Sequence, residues 1–201
     1  MPPTDRVRYL DTGAQGVDVS HHQGDICWET VASESIAFAI VKATQGDKFR
    51  DTLWEKNVRG AMASGLAFRS YHYADPFRSS GPVSEADHYL SVVGQVETAV
   101  LDWEGAALKL GVDEQADWIG RWMTEVDADG LMLYCSLNTW GDLHPHVSGS
   151  TELWVAWWDS SYWPHKPPPH RIVDTGAKMW QWTSRGTVKG ISGPVDLNQV
   201  L

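Results

Sequence analysis

Two carboxylates, Asp102 and Glu104, stand two residues apart in the run Val100-Leu101-Asp102-Trp103-Glu104-Gly105. On a strand, such residues share a face, with Cα atoms ~6.6 Å apart at ~3.3 Å rise per residue. Leu101 and Trp103 then point the other way, into a helical layer. Two carboxylates so close cannot both ionise easily, so at least one pKa must rise. Cleavage of a glycosidic bond needs that split, with a protonated acid for the leaving oxygen and an ionised partner for oxocarbenium-like charge. A D-x-E pair on a strand equally suits a metal site or a solvated strand end. Two further acids close short apolar runs: Asp18 in Gly16-Val17-Asp18-Val19-Ser20, and Asp196 in Gly193-Pro194-Val195-Asp196-Leu197-Asn198. Taken singly, each reads as a turn former or a helix cap.

Aromatic residues crowd the same segments. Tyr71 and Tyr73 share one strand face and His72 takes the other; Trp154 and Trp157-Trp158 close a second strand, and Trp180-Gln181-Trp182 a third. The twelve tryptophans suit core packing, and also a cleft in which flat rings stack on the apolar faces of sugars. His21-His22 and His144-Pro145-His146 lack the i, i+4 helical spacing of a zinc protease, and there is no Gly-x-Ser-x-Gly elbow or phosphate-binding glycine loop.

Positioning these groups requires strands that end at one mouth. Apolar runs at Gly16 to Ser20, Ile36 to Ala43, Ala67 to Tyr73, Ala99 to Glu104, Leu131 to Cys135, Glu152 to Trp157 and Met179 to Thr183 read as buried strands. Helical faces fall between the early ones: Trp54, Val58, Ala61 and Met62; Ala86, Tyr89, Leu90 and Val93; Ile119, Trp122, Met123 and Val126, with Asp113 as the candidate N-cap. After about Pro145 the helical period fades, and Pro164-His165-Lys166-Pro167-Pro168-Pro169 reads as a surface loop. The pattern predicts an α/β fold, an irregular TIM-like barrel of about five βα units followed by extra strands with few helices. At 201 residues the chain is short for the ~250 of eight full units. Residues 1–201 read as one catalytic domain, with 1–14 as an N-terminal extension.

A formal charge of −10 leaves no basic face for nucleic acid, and no apolar run approaches the ~20 residues of a membrane span. The same charge gives no long-range attraction to an anionic cell wall, so a cleft must supply affinity. Met1 to Arg6 carries no apolar signal region; the expectation is a protein made in the cytoplasm and released by lysis, or one whose leader is absent from this chain. Cys27 and Cys135 have no metal-type spacing; a disulfide is possible, and buried free thiols are the adopted reading.

The residues resemble the family-25 glycoside hydrolases, the N-acetylmuramidase lysozymes common among phage endolysins. The resemblance runs from Gly16 to Leu201. It rests on Gly16-Val17-Asp18-Val19-Ser20, Ile40-Val41-Lys42-Ala43-Thr44, Tyr71-His72-Tyr73-Ala74, Leu101-Asp102-Trp103-Glu104, Leu153-Trp154-Val155-Ala156-Trp157, Trp180-Gln181-Trp182-Thr183 and Val195-Asp196-Leu197-Asn198. It implies hydrolysis of the β-1,4 bond between N-acetylmuramic acid and N-acetylglucosamine in bacterial peptidoglycan, by a monomer, without metal or cofactor. Glu104 would be the general acid and later the base, Asp102 would assist, and Asp18 and Asp196 would complete an acidic cleft. Tyr71, Tyr73, Trp157 and Trp182 become sugar contacts, and net retention through attack by the substrate's own acetamido group is the implied route. Asp75 before Pro76, where relatives often carry Arg, and Gln45, where Glu is common, depart from the pattern. The competing expectations are a silent wall-binding module and a zinc-dependent amidase or peptidase.

Overall fold

The computed structural model describes residues 6–147, 149–158 and 167–201. Met1 to Asp5, and Pro164-His165-Lys166 of the proline cluster, lie outside the described residues.

Strands, numbered in chain order, are β1 (Gln15–Val19), β2 (Ile36–Gln45), β3 (Phe49–Arg50), β4 (Ala67–Tyr73), β5 (Thr98–Asp102), β6 (Gly130–Ser136), β7 (Glu152–Ala156), β8 (Met179–Gly186) and β9 (Val195–Val200). From β1 through β2, β4, β5, β6 and β7 to β8 the neighbours pair in parallel. β9 then runs antiparallel to both β8 and β1, which closes an eight-stranded barrel with β3 as a short addition to β2. Helices α1 (Trp28–Ser33), α2 (Trp54–Ala63), α3 (Pro82–Val93), α4 (Val112–Val126) and α5 (Leu137–Leu143) cross between successive parallel strands, and between β7 and β8 the described residues hold only the single turn α6 (His170–Val173). Five full βα units followed by a helix-poor end match the sequence expectation.

Near-continuous apolar strands are explained by burial on both faces. In β2, Phe38 and Ile40 fill the barrel while Ala39 and Val41 pack under the helices. Gly16 makes room for this filling, because a Cβ there would sit 2.3 Å from the Phe38 ring. The floor is sealed from below: Arg6–Tyr9 form a 3-10 turn whose Val7 is buried among Phe38, Ile40 and Met132. The expected N-terminal extension thus contributes to the core.

α4 buries Ile119, Trp122, Met123 and Val126 as its period requires. Its start departs from the expectation. Asp113 lies inside the first turn, and the chain turns in at Gly111, whose N–H donates to the Glu114 carboxylate at 2.9 Å. An acid three residues past the entry reaches back, which leaves Asp113 to the helix dipole. No helix among the described residues is long and apolar enough to cross a membrane.

Candidate active site

The upper ends of the parallel strands deliver the polar side chains to one mouth, as barrel geometry demands. Asp18, Tyr71, Tyr73, Asp102, Glu104 and Asp196 line one cavity of about 210 Å³ together with Lys42. The structure thus brings together all four acids and both tyrosines. The β5 ladder ends at Asp102, two residues earlier than the sequence suggests, yet the chain stays extended through Glu104 (φ −152°, ψ −170°). Alternation therefore continues, and Trp103 turns back to pack on Trp118 and donate its indole N–H to Gln115 at 2.8 Å. The next residue must be glycine. Gly105 has φ +59°, and a Cβ there would lie 2.4 Å from the Tyr73 hydroxyl.

Asp196 reaches the mouth from the other direction. β9 is antiparallel, so Asp196 begins its strand where the other acids end theirs, in register with Asp18. Asp18 is held by an ordered amide network. Gln181 Nε2 donates to its Oδ2 at 3.0 Å and Asn198 Nδ2 at 2.8 Å. A donor-only indole fixes each amide orientation: the Trp154 N–H donates to Asn198 Oδ1 at 2.8 Å and the Trp158 N–H to Gln181 Oε1 at 2.9 Å, and the Tyr134 hydroxyl then donates to the same Gln181 oxygen at 2.9 Å. Burial pushes the Asp18 carboxyl up, against these hydrogen bonds and that with Asp196. Asp196 is pushed up to about 8, by burial first and then by the Asp18 charge.

The other pair is barely held. Asp102 is buried, and its Oδ1 has no hydrogen-bond partner among the described residues. Burial raises its pKa well above the usual value, Glu104 adds to that, and Lys42 opposes it. Glu104 is also raised, by burial and then by Asp18, again against Lys42. Lys42 is itself buried, hydrogen bonded to Gln45 Oε1 at 2.8 Å and 4.6 Å from the Tyr73 ring centroid. Lys42 faces the acids in the same alternation as Phe38 and Ile40, and a bulge after it turns Thr44 outward to bond His72 at 2.7 Å. His72 is buried behind Tyr71 and Tyr73 and meets Glu85 at 2.7 Å, and Glu85 accepts the Asp75 N–H at 3.1 Å. That pair ties the end of β4 to α3. Burial first depresses the His72 pKa.

The tryptophans sort differently from the sequence expectation. Trp182 does not reach the cleft: alternation along β8 puts Met179 and Gln181 inside and Trp180 and Trp182 outside, where Trp182 is buried in the outer core and bonds Gln15 at 3.2 Å. Trp157 borders a second cavity of about 390 Å³, next to Glu104, but its ring is stacked on Trp180 and covered by the Arg171 guanidinium at 4.8 Å. Trp158 presents the open ring. Lys42, Tyr134, Gln181 and Asn198 were given no role from sequence, and Trp158 was named only among the aromatics that close a strand. The i, i+2 spacing of Asn198 from Asp196, and of Gln181 from Met179, was the available signal.

Both cysteines are free, Cys135 buried and Cys27 exposed, the latter contrary to expectation. Among the described residues no group of three or more His, Cys, Asp or Glu is arranged to hold a metal ion.

Comparison with known proteins agrees with this geometry. The chain is 32% identical to Lysozyme M1 of Streptomyces globisporus over 206 residues, which cover 94% of this chain and 68% of that protein. It superposes on the bacterial lysozyme from Streptomyces coelicolor with a TM-score of 0.78 at 28% identity, covering 95% of this chain and 93% of that one. A family 25 glycosyl hydrolase from Bacillus anthracis shares the fold, with a TM-score of 0.76 at 23% identity over 95% of this chain and 90% of that one. Residues 17–191 match the glycosyl hydrolases family 25, so the chain belongs to that family and is a glycoside hydrolase.

Proposed function

We propose that this protein is a muramidase that cuts the β-1,4 bond between N-acetylmuramic acid and N-acetylglucosamine in bacterial peptidoglycan. The observation that carries the reading is the convergence of Asp18, Asp102, Glu104 and Asp196 with Tyr71 and Tyr73 on one cavity at the barrel mouth. Glu104, whose raised pKa keeps it protonated further up the pH scale, gives its proton to the leaving oxygen. The unpartnered Oδ1 of Asp102 accepts the N–H of the muramic 2-acetamido group and aims its carbonyl oxygen at the anomeric carbon. As the bond to the leaving oxygen breaks, a bond from the acetamido oxygen forms. Water then attacks the same carbon and displaces the acetamido oxygen, Glu104 takes the water proton, and the configuration is retained. Asp18, fixed by Gln181 and Asn198, supplies negative charge to the oxocarbenium-like centre. The protein acts at the cell wall as a monomer; its net charge of −10 suits neither nucleic acid nor an anionic membrane surface.

Digestion of purified peptidoglycan, with mass spectrometry of the fragments, tests this. New reducing-end muramic acid is expected, and Glu104→Gln should lower its release by about 10²–10⁴-fold with the fold intact. Near-normal cleavage by that variant overturns the assignment. Binding without new reducing ends would indicate a silent wall-binding module. Chelator-sensitive release of stem peptides would indicate an amidase or peptidase.

A further inference from the structure

We propose that the cavity beyond Glu104 is the subsite for the leaving-group sugar, and that Trp158 is its stacking platform, set in place by Gln181. This rests on the muramidase reading. A general acid that protonates the glycosidic oxygen must stand at the boundary between the donor sugar and the leaving sugar. Glu104 lines both cavities. The one that holds Asp18, Asp102 and Asp196 carries the charge an oxocarbenium-like donor needs. The other, of about 390 Å³, has Glu104 as its one acid among the described residues and is lined by Leu108, Leu137, Asn138 and Trp158. Apolar surface beside an amide suits an N-acetylated pyranose, which has an apolar face and hydrogen-bonding edges.

Trp158 is 57% exposed and Leu108 42% exposed, so both leave apolar surface open at this wall. The Trp158 ring is nevertheless not free to swing, because its indole N–H donates to Gln181 Oε1 at 2.9 Å. Gln181 is buried, and its other end donates to Asp18 at 3.0 Å. One side-chain amide therefore spaces the platform against the donor-side acid. A ring indexed to the acids positions the leaving sugar relative to the bond being cut, and such placement is what orientation contributes to catalysis.

Kinetics on soluble, uncrosslinked glycan strands provide the test. Trp158→Ala is expected to raise KM about tenfold with a smaller change in kcat, the scale of one lost aromatic contact. Trp158→Phe keeps the stacking face but loses the N–H that ties it to Gln181, so its KM should rise about threefold, between wild type and Trp158→Ala. Because the ring is exposed, Tm should change little in either variant. A KM for Trp158→Ala within twofold of wild type, a loss confined to kcat, or equal damage in both variants overturns the proposal. If the wild type releases no reducing ends, the muramidase reading fails by itself. The platform is then judged by co-sedimentation with insoluble peptidoglycan, where Trp158→Ala should weaken binding about tenfold and unchanged binding overturns it.

Discussion

The two halves of the acid cluster are built on opposite plans. Asp18 and Asp196 sit on neighbouring strands in register, and Asp18 takes two amide donors whose orientation is fixed by Trp154 and Trp158. Asp102 and Glu104 follow one another at the end of a single strand, with a bare oxygen on Asp102 and one nearby cation, Lys42. A buried carboxylate already satisfied by protein donors has little left to offer a ligand, whereas an unpartnered one costs stability until something binds it. The closed side thus holds charge in place, and the open side is left for substrate.

Removing the open side should therefore damage chemistry and spare the fold. Asp102→Asn is expected to lower kcat on glycan strands by about 10²–10³-fold. Its Tm should be unchanged or higher, because the amide relieves a buried, unpartnered acid. A large fall in Tm with modest loss of activity would erase the distinction between the two sides.

The closed side should behave the other way round. Asn198→Leu strands the Trp154 indole N–H and removes one donor from Asp18. Urea unfolding should show a loss of about 1–3 kcal/mol, the usual cost of unpaired buried polar groups. Activity at temperatures well below Tm should fall by less than in Asp102→Asn.

Lys42→Met sharpens the comparison through pH. Lys42 favours the ionised forms of Asp102 and Glu104, so without it both pKa values rise further. The bell-shaped pH dependence of kcat/KM should move to higher pH on both limbs. Because Gln45 meets Lys42 as a neutral acceptor, no neighbouring carboxylate at that position offsets the lysine charge. An unmoved profile would mean that Lys42 serves packing against Tyr73 alone.

Much of this was legible in the sequence, and the gaps follow one rule. Period-two alternation correctly placed Asp102 and Glu104 on one face, and Tyr71 and Tyr73 on another, since each run lies in an uninterrupted strand or its extended continuation. The same rule applied to β8 from Met179 would have turned Trp182 outward and Gln181 inward; ring size was given more weight than parity. Lys42 shares the inward parity of Phe38 and Ile40, whereas the outward turn of Thr44 was hidden, because the bulge at Lys42/Thr44 breaks parity and has no signature in Val41-Lys42-Ala43-Thr44. The antiparallel arrival of Asp196 was likewise out of reach, because the direction of a strand depends on its pairing partner. Short helices such as α1 and α5 span too few residues to show a period.

The smallest expected effect concerns Asp196, where the two halves meet. Its carboxyl titrates near 8 in the folded protein against 3.8 ordinarily, so the folded chain holds this proton more tightly than the unfolded one. That preference stabilises the fold fully at low pH and is lost as pH rises through about 8. Asp196→Asn keeps a neutral donor facing Asp18 and removes the titration. Thermal melts across the acid to neutral range should therefore show a shallower decline of Tm with rising pH in the variant than in the wild type. Identical slopes would place the pH-dependent stability in the other raised acids, Asp18, Asp102 and Glu104.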